Sequence, residues 1–148
     1  MKAVLDTNVV IAGILSPKGP PAAIIDLWAE GKITVVVSPP IIREYLGVLQ
    51  RPKFDAAGPA SERLALLEGL LGLDNVELVL PRETVCTVKE DPADNRVLEC
   101  ALFGRAKYIV SGDKHLLTLG KAGESAIVSP RQFIEMVAGK NPNVNRCP

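Results

Sequence analysis

Met1-Lys2-Ala3-Val4-Leu5-Asp6-Thr7-Asn8-Val9-Val10-Ile11-Ala12-Gly13-Ile14-Leu15-Ser16 opens the chain, and its reading decides the fold. Ala3, Val4 and Leu5 form a short apolar run that reads as a buried strand. The run stops at Asp6, and Val9, Val10, Ile14 and Leu15 then read as a helix. A carboxylate therefore stands where a strand hands over to a helix, followed at once by a hydroxyl and an amide. In open α/β sheets that carboxyl end of a strand is where ligands bind. Asp is also a common helix cap, so a capping role for Asp6 stands beside the functional one.

The remaining chain repeats the pattern. Ser16-Pro17-Lys18-Gly19-Pro20 breaks it, and residues 21–30 read as a helix with Trp28 in the core. The β-branched run 33–37 predicts a second strand. Ser38-Pro39 supplies a cap and a first-turn proline for a helix to about Gln50. Residues 53–60 read as a loop, 61–71 as a Leu-rich helix and 77–80 as a third strand. The stretch 82–90 fits no single element, with 84–88 compatible with an extended segment. Asp91-Pro92 opens a helix to about Phe103; residues 108–111 and 126–128 predict two more strands, with a short helix at 114–119 between them. Ser129-Pro130 caps a last helix through Val137, and the segment from 139 to 148 reads as a loose tail.

Alternating strands and helices predict an α/β fold: a three-layer α/β/α sandwich around a mainly parallel sheet of about five strands. At 148 residues the simplest organisation is one domain over residues 1–138 with a flexible tail at 139–148. Hydrophobic residues make up 47%, which excludes a disordered chain. Lys and Arg number 17, as do Asp and Glu, so the net charge is zero and any nucleic-acid surface has to be a local patch. Cys86, Cys100 and Cys147 form no CxxC pair, and the first two sit in apolar surroundings as core thiols. No apolar run approaches the roughly 18 residues of a membrane helix. The N-terminal stretch is not expected to be a signal peptide, because Asp6 interrupts its apolar segment. The expectation is a soluble, cytoplasmic protein with no membrane partner.

Four acids are poorly explained as surface charge. Asp6 and Asp113 end apolar strands, and if those strands are parallel both project from one edge of the sheet. Glu44 flanks the apolar arc of Ile41, Ile42, Tyr45, Leu46 and Leu49; from that helix alone a solvated glutamate is the favoured reading. Asp94 falls on the buried side of its helix with Val97, Leu98 and Ala101, one turn before Leu98. An inward carboxylate has to be paired, hydrogen-bonded or metal-bound. A first-turn acid favoured by the helix dipole is the plainer alternative, and Asp91 is read mainly as the cap. Two carboxylates about 4 Å apart repel by about 4 kcal/mol at an effective dielectric near 20. Clustering such acids calls for a cation, and an all-oxygen donor set favours Mg²⁺ or Mn²⁺ over zinc.

Asp6-Thr7-Asn8 after the first strand, Ile42-Arg43-Glu44-Tyr45-Leu46, Asp91-Pro92-Ala93-Asp94-Asn95 and Ser111-Gly112-Asp113-Lys114 together resemble the ordered motifs of PIN-domain ribonucleases, including the VapC-like toxins of toxin–antitoxin pairs. The resemblance spans essentially the whole chain. It implies a Mg²⁺- or Mn²⁺-dependent endoribonuclease in which Asp6, Glu44, Asp94 and Asp113 hold the metal and serve catalysis. Thr7, Asn8, Ser111 and Asn95 would support them by hydrogen bonds. It further implies an RNA substrate, a homodimer and a cognate antitoxin. His115 stands where many members carry another acid, and it reads as a surface residue at a helix start. Arg43, Arg96, Arg105 and Lys114 are near the motifs as candidate phosphate contacts, but each is more often an ordinary solvated charge, and none is assigned individually.

Two other classes stay open. An aspartyl-nucleophile phosphatase would use an aspartate after the first strand, but its usual second acid two residues on is here Asn8. A non-enzymatic PIN-like binding domain would have less reason to keep acids at all four positions.

Overall fold

A computed structural model describes residues 1–81 and 92–140, with side chains for 1–81 and 95–139. The strands are β1 (Lys2–Leu5), β2 (Thr34–Val37), β3 (Val76–Leu78), β4 (Tyr108–Val110), β5 (Lys121–Ala122) and β6 (Ser125–Val128). The helices are α1 (Thr7–Leu15), α2 (Pro20–Ala29), α3 (Pro39–Leu49), α4 (Ala60–Leu71), α5 (Pro92–Gly104), α6 (Lys114–Leu119) and α7 (Pro130–Lys140).

The sheet runs β3-β2-β1-β4-β6-β5. All neighbours pair in parallel except β5, which meets β6 antiparallel. Parallel strands are wet on neither face, which explains the unbroken apolar runs: Ala3, Val4, Leu5, Val35, Val36, Ile109 and Val110 are all fully buried. The helix α5 lies directly on β1, β2 and β4, whereas α1 packs on α2, α3 and α4, and α2 on α7. This is the α/β sandwich that the alternation predicts. Trp28, Tyr45 and Phe133 are the largest fully buried side chains.

The turn chemistry places the helix starts. Ser129 and Gln132 form a reciprocal capping box: the Ser129 N–H donates to Gln132 Oε1 at 2.8 Å, and the Gln132 N–H to Ser129 Oγ at 3.1 Å. Gly13 lets α1 approach α2, because a Cβ there would meet Ile25 Cγ1 at 2.4 Å and the Pro21 carbonyl oxygen at 2.6 Å.

Several expectations differ from the structure. The antiparallel β5 adds a sixth strand; two residues carry no periodicity to read. The predicted loop at 53–60 is in large part a 3₁₀ turn (Pro52–Ala57). That turn is fastened by the buried Arg63, which donates to the carbonyls of Leu49, Phe54 and Gly58 and to the Asp55 carboxylate. Ser38 occupies the N-cap position of α3, yet its side chain makes no capping bond. The last helix runs to Lys140, three residues beyond the predicted Val137. The ambiguous stretch 82–90, with Cys86, lies outside the described residues, as do Asp91 and residues 141–148.

Candidate functional site

The strand order fixes where a site can form. From β1 the chain moves through α1 and α2 to β2 on one side; β4 lies on the other side of β1. The carboxyl ends of β1 and β4 thus flank the point where the connections diverge, which leaves a crevice. The register pairs Leu5 with Val110, so the next residues, Asp6 and Ser111, come out side by side.

Asp6 is nearly buried, at 7% exposure. Its N–H donates to the Val110 carbonyl at 2.9 Å, continuing the ladder one residue past the strand. Its Oδ1 accepts the Thr7 N–H at 2.8 Å. Its Oδ2 accepts the Ser111 hydroxyl at 2.7 Å. Asp6 is therefore both the cap of α1 and a member of a buried polar cluster, so the two sequence readings coexist. Ser111, fully buried, in turn accepts the Asp113 N–H at 2.9 Å. Asp113 caps α6, its Oδ1 accepting the N–H groups of His115 at 2.7 Å and Leu116 at 3.4 Å.

Glu44 comes from a third element, α3, and is half-buried. Burial pushes the Asp6 carboxyl above its ordinary value; the Ser111 and Thr7 hydrogen bonds pull it down, and the charges of Glu44 and Asp113 push it up again. Glu44 and Asp113 thus stand close enough to act on Asp6. Asp6 and Asp113, from separate parts of the chain, are linked through Ser111 at the carboxyl edge of the sheet, and the charge of Glu44 on α3 reaches Asp6.

A polar layer underlies them. The Tyr45 hydroxyl donates to the Leu5 carbonyl in the interior. Burial holds the Tyr45 phenol well above its ordinary range, with Cys100, Asp6 and Glu44 adding to the effect. Burial also pushes the Cys100 thiol up to about 12, against a smaller opposing pull from the Ser38 hydroxyl. Ser38 Oγ rests beside that sulfur without a well-formed hydrogen bond; it and Trp28 Nε1 are the buried side-chain atoms lacking a partner among the described residues.

The other sequence-derived candidates fall as follows. Thr7 is buried and serves Asp6 through its backbone N–H. Asn8 is exposed on α1 and makes no hydrogen bond to an acid among the described residues. Asn95 is buried on α5. Asp94 lies in the first turn of α5, but its side chain is outside the described residues. His115, Arg43, Arg96 and Lys114 are exposed. Arg105 stands at the opposite edge of the sheet, before β4, where it lines a separate hollow with Lys107, Gly123 and Glu124. Sequence proximity to the motifs misplaces it. Tyr45 reads from sequence only as part of an apolar arc; its position next to Glu44 was the available signal for a role at the site.

The donor chemistry suits a hard divalent cation, since every candidate ligand is a carboxylate oxygen. Among the described residues no group of three or more His, Cys, Asp or Glu side chains is placed to hold a metal ion; the Asp94 side chain lies outside the described residues. No single helix among the described residues is long and apolar enough to cross a membrane.

Comparison with known proteins agrees with the geometry. A family model described as a PIN domain matches residues 2–115. The chain is also similar to an uncharacterized protein of Methanocaldococcus jannaschii, 30% identical over 143 residues, covering 91% of this chain and 90% of that protein.

Proposed function

The chain belongs to the PIN-domain family, a family generally of nucleases, and from that premise we propose that it is a Mg²⁺- or Mn²⁺-dependent endoribonuclease. The observation that carries this reading is the Ser111 bridge at the sheet edge, whose hydroxyl donates to the buried Asp6 at 2.7 Å and accepts the Asp113 N–H at 2.9 Å, with the charge of Glu44 reaching Asp6 as well. Acids gathered at a sheet edge destabilise one another unless a cation is shared among them. Family membership also favours a nuclease over the aspartyl-nucleophile alternative.

In this reading Asp6, Glu44, Asp94 and Asp113 hold the cation. Bound there, it would polarise the scissile phosphate and lower the pKa of an attacking water. Hydrolysis there would form a bond from the water oxygen to phosphorus and break the phosphorus bond to the leaving ribose oxygen, the water giving up a proton to solvent and the ribose oxygen taking one from solvent. Ser111 and the Thr7 N–H keep Asp6 aimed while this happens. Neither Ser111 nor Thr7 has a general base beside it, which argues against a covalent serine or threonine intermediate. Exposed Arg43, Arg96 and Lys114 are suited to phosphates along the RNA strand.

The VapC-like motif order extends the proposal to a cytoplasmic toxin acting as a homodimer and restrained by a small antitoxin. The test of the activity is cleavage of an end-labelled single-stranded RNA. Internal cuts with Mg²⁺ or Mn²⁺, abolished by EDTA and by Asp6→Asn or Asp94→Asn, are expected. Undiminished metal-dependent cleavage by either variant would overturn the mechanism.

A further inference from the structure

Tyr45 follows Glu44 on α3 and is fully buried. The pairing of β1 with β2 takes in Lys2 and Ala3, whereas its pairing with β4 continues to Leu5. The Leu5 carbonyl therefore lies beyond the β1–β2 ladder, and the Tyr45 hydroxyl supplies its donor across 40 residues of sequence. The same peptide unit carries the Asp6 N–H, which is held by the Val110 carbonyl at 2.9 Å. One peptide plane, leading directly into Asp6, is thus clamped from α3 on its carbonyl side and from β4 on its N–H side. The two clamps lead to the other acids, Glu44 through α3 and Asp113 through Ser111. A phenylalanine would fill the same core volume; the hydroxyl adds only the clamp.

We propose that Tyr45 is a positioning residue that sets the separation of Glu44 from Asp6 and thereby tunes divalent-cation affinity. This rests on the metal-site reading above. Freed of the bond, α3 and the end of β1 can shift independently, and displaced supporting contacts around a metal site typically cost about 10-fold to 100-fold in affinity.

The test is calorimetric titration of the full chain with Mn²⁺, with no nucleic acid present. Tyr45→Phe is expected to weaken Mn²⁺ binding about 10-fold or more while its circular dichroism stays that of the wild type. Cys100→Ala, which trims the same buried layer without touching the clamp, is expected to leave Mn²⁺ affinity unchanged. Equal weakening by both variants would reduce the effect to general loosening and overturn the proposal. Wild-type affinity in Tyr45→Phe, with binding lost in Asp6→Asn, would overturn it and leave the metal site standing. Wild-type affinity in Asp6→Asn would overturn both. If Tyr45→Phe does not fold, ¹⁹F NMR of 3-fluorotyrosine-labelled wild-type protein decides. The Tyr45 resonance should move with added Mg²⁺ and saturate with binding, with Tyr108 as reference; an unmoved Tyr45 signal would overturn the proposal.

Discussion

The Ser111 hydroxyl donates a 2.7 Å hydrogen bond to Asp6, 105 residues earlier in the chain, and its oxygen accepts the Asp113 N–H at 2.9 Å. One side chain therefore sets two acids at once. Ser111→Ala is expected to leave a folded protein, destabilised by about 1–3 kcal/mol through the unmet buried groups. Its Mn²⁺ affinity should fall about 10-fold to 100-fold. Thermal unfolding and calorimetric titration measure the two effects separately.

The buried Asp6 carboxyl is raised above its ordinary 3.8, first by loss of water and then by the neighbouring acids. The native state therefore holds that proton more tightly than the unfolded chain. Above the unfolded value the unfolded chain releases its proton first, so stability falls as pH rises through the window up to the native value. Metal-free Asp6→Asn should accordingly be more stable than the wild type at pH 7, with the advantage shrinking at pH 4. Saturating Mg²⁺ should stabilise the wild type and not the variant. Unfolding midpoints of both proteins across pH 4–8, with EDTA and with Mg²⁺, check this.

Gly13 and Gly69 make opposite forecasts from one kind of substitution. Gly13→Ala drives a methyl into Ile25 and the Pro21 backbone, and should cost about 1–3 kcal/mol or more. Gly69, inside α4, has nothing within 4 Å of an added Cβ. Gly69→Ala should stabilise by about 0.4–1 kcal/mol. Denaturant midpoints at matched slopes are the measurement.

Cys100 is fully buried and its thiol is pushed up to about 12. Iodoacetamide at pH 8 should leave the native Cys100 peptide unmodified in mass spectrometry and alkylate it once the protein is unfolded.

Most strands and helices were readable because they carry their own signals, apolar runs at β1, β2 and β4 and Ser, Asp or Pro at helix starts, whereas the two-residue β5 carries none. Their arrangement was not. The order β3-β2-β1-β4-β6-β5 is a property of long-range pairing, so it was the structure that put Asp6 beside Ser111. Glu44 illustrates the limit. From its own helix it reads as a solvated acid, and only the packing of α3 on the end of β1 brings its charge to Asp6. Arg63 was illegible for the same reason, since its partners are backbone carbonyls that no side-chain pattern announces. Arg105 errs the other way: near the motifs in sequence, it lies at the opposite edge of the sheet because α5 ends there.

The most direct test of the account is a crystal of the protein grown with Mn²⁺ and measured at the manganese absorption edge. The account expects an anomalous peak in the crevice between β1 and β4, within coordination distance of the Asp6 and Asp113 carboxylates and facing Glu44. A well-ordered crevice with those acids in place and no peak at saturating Mn²⁺, or a peak only elsewhere on the surface, would contradict it.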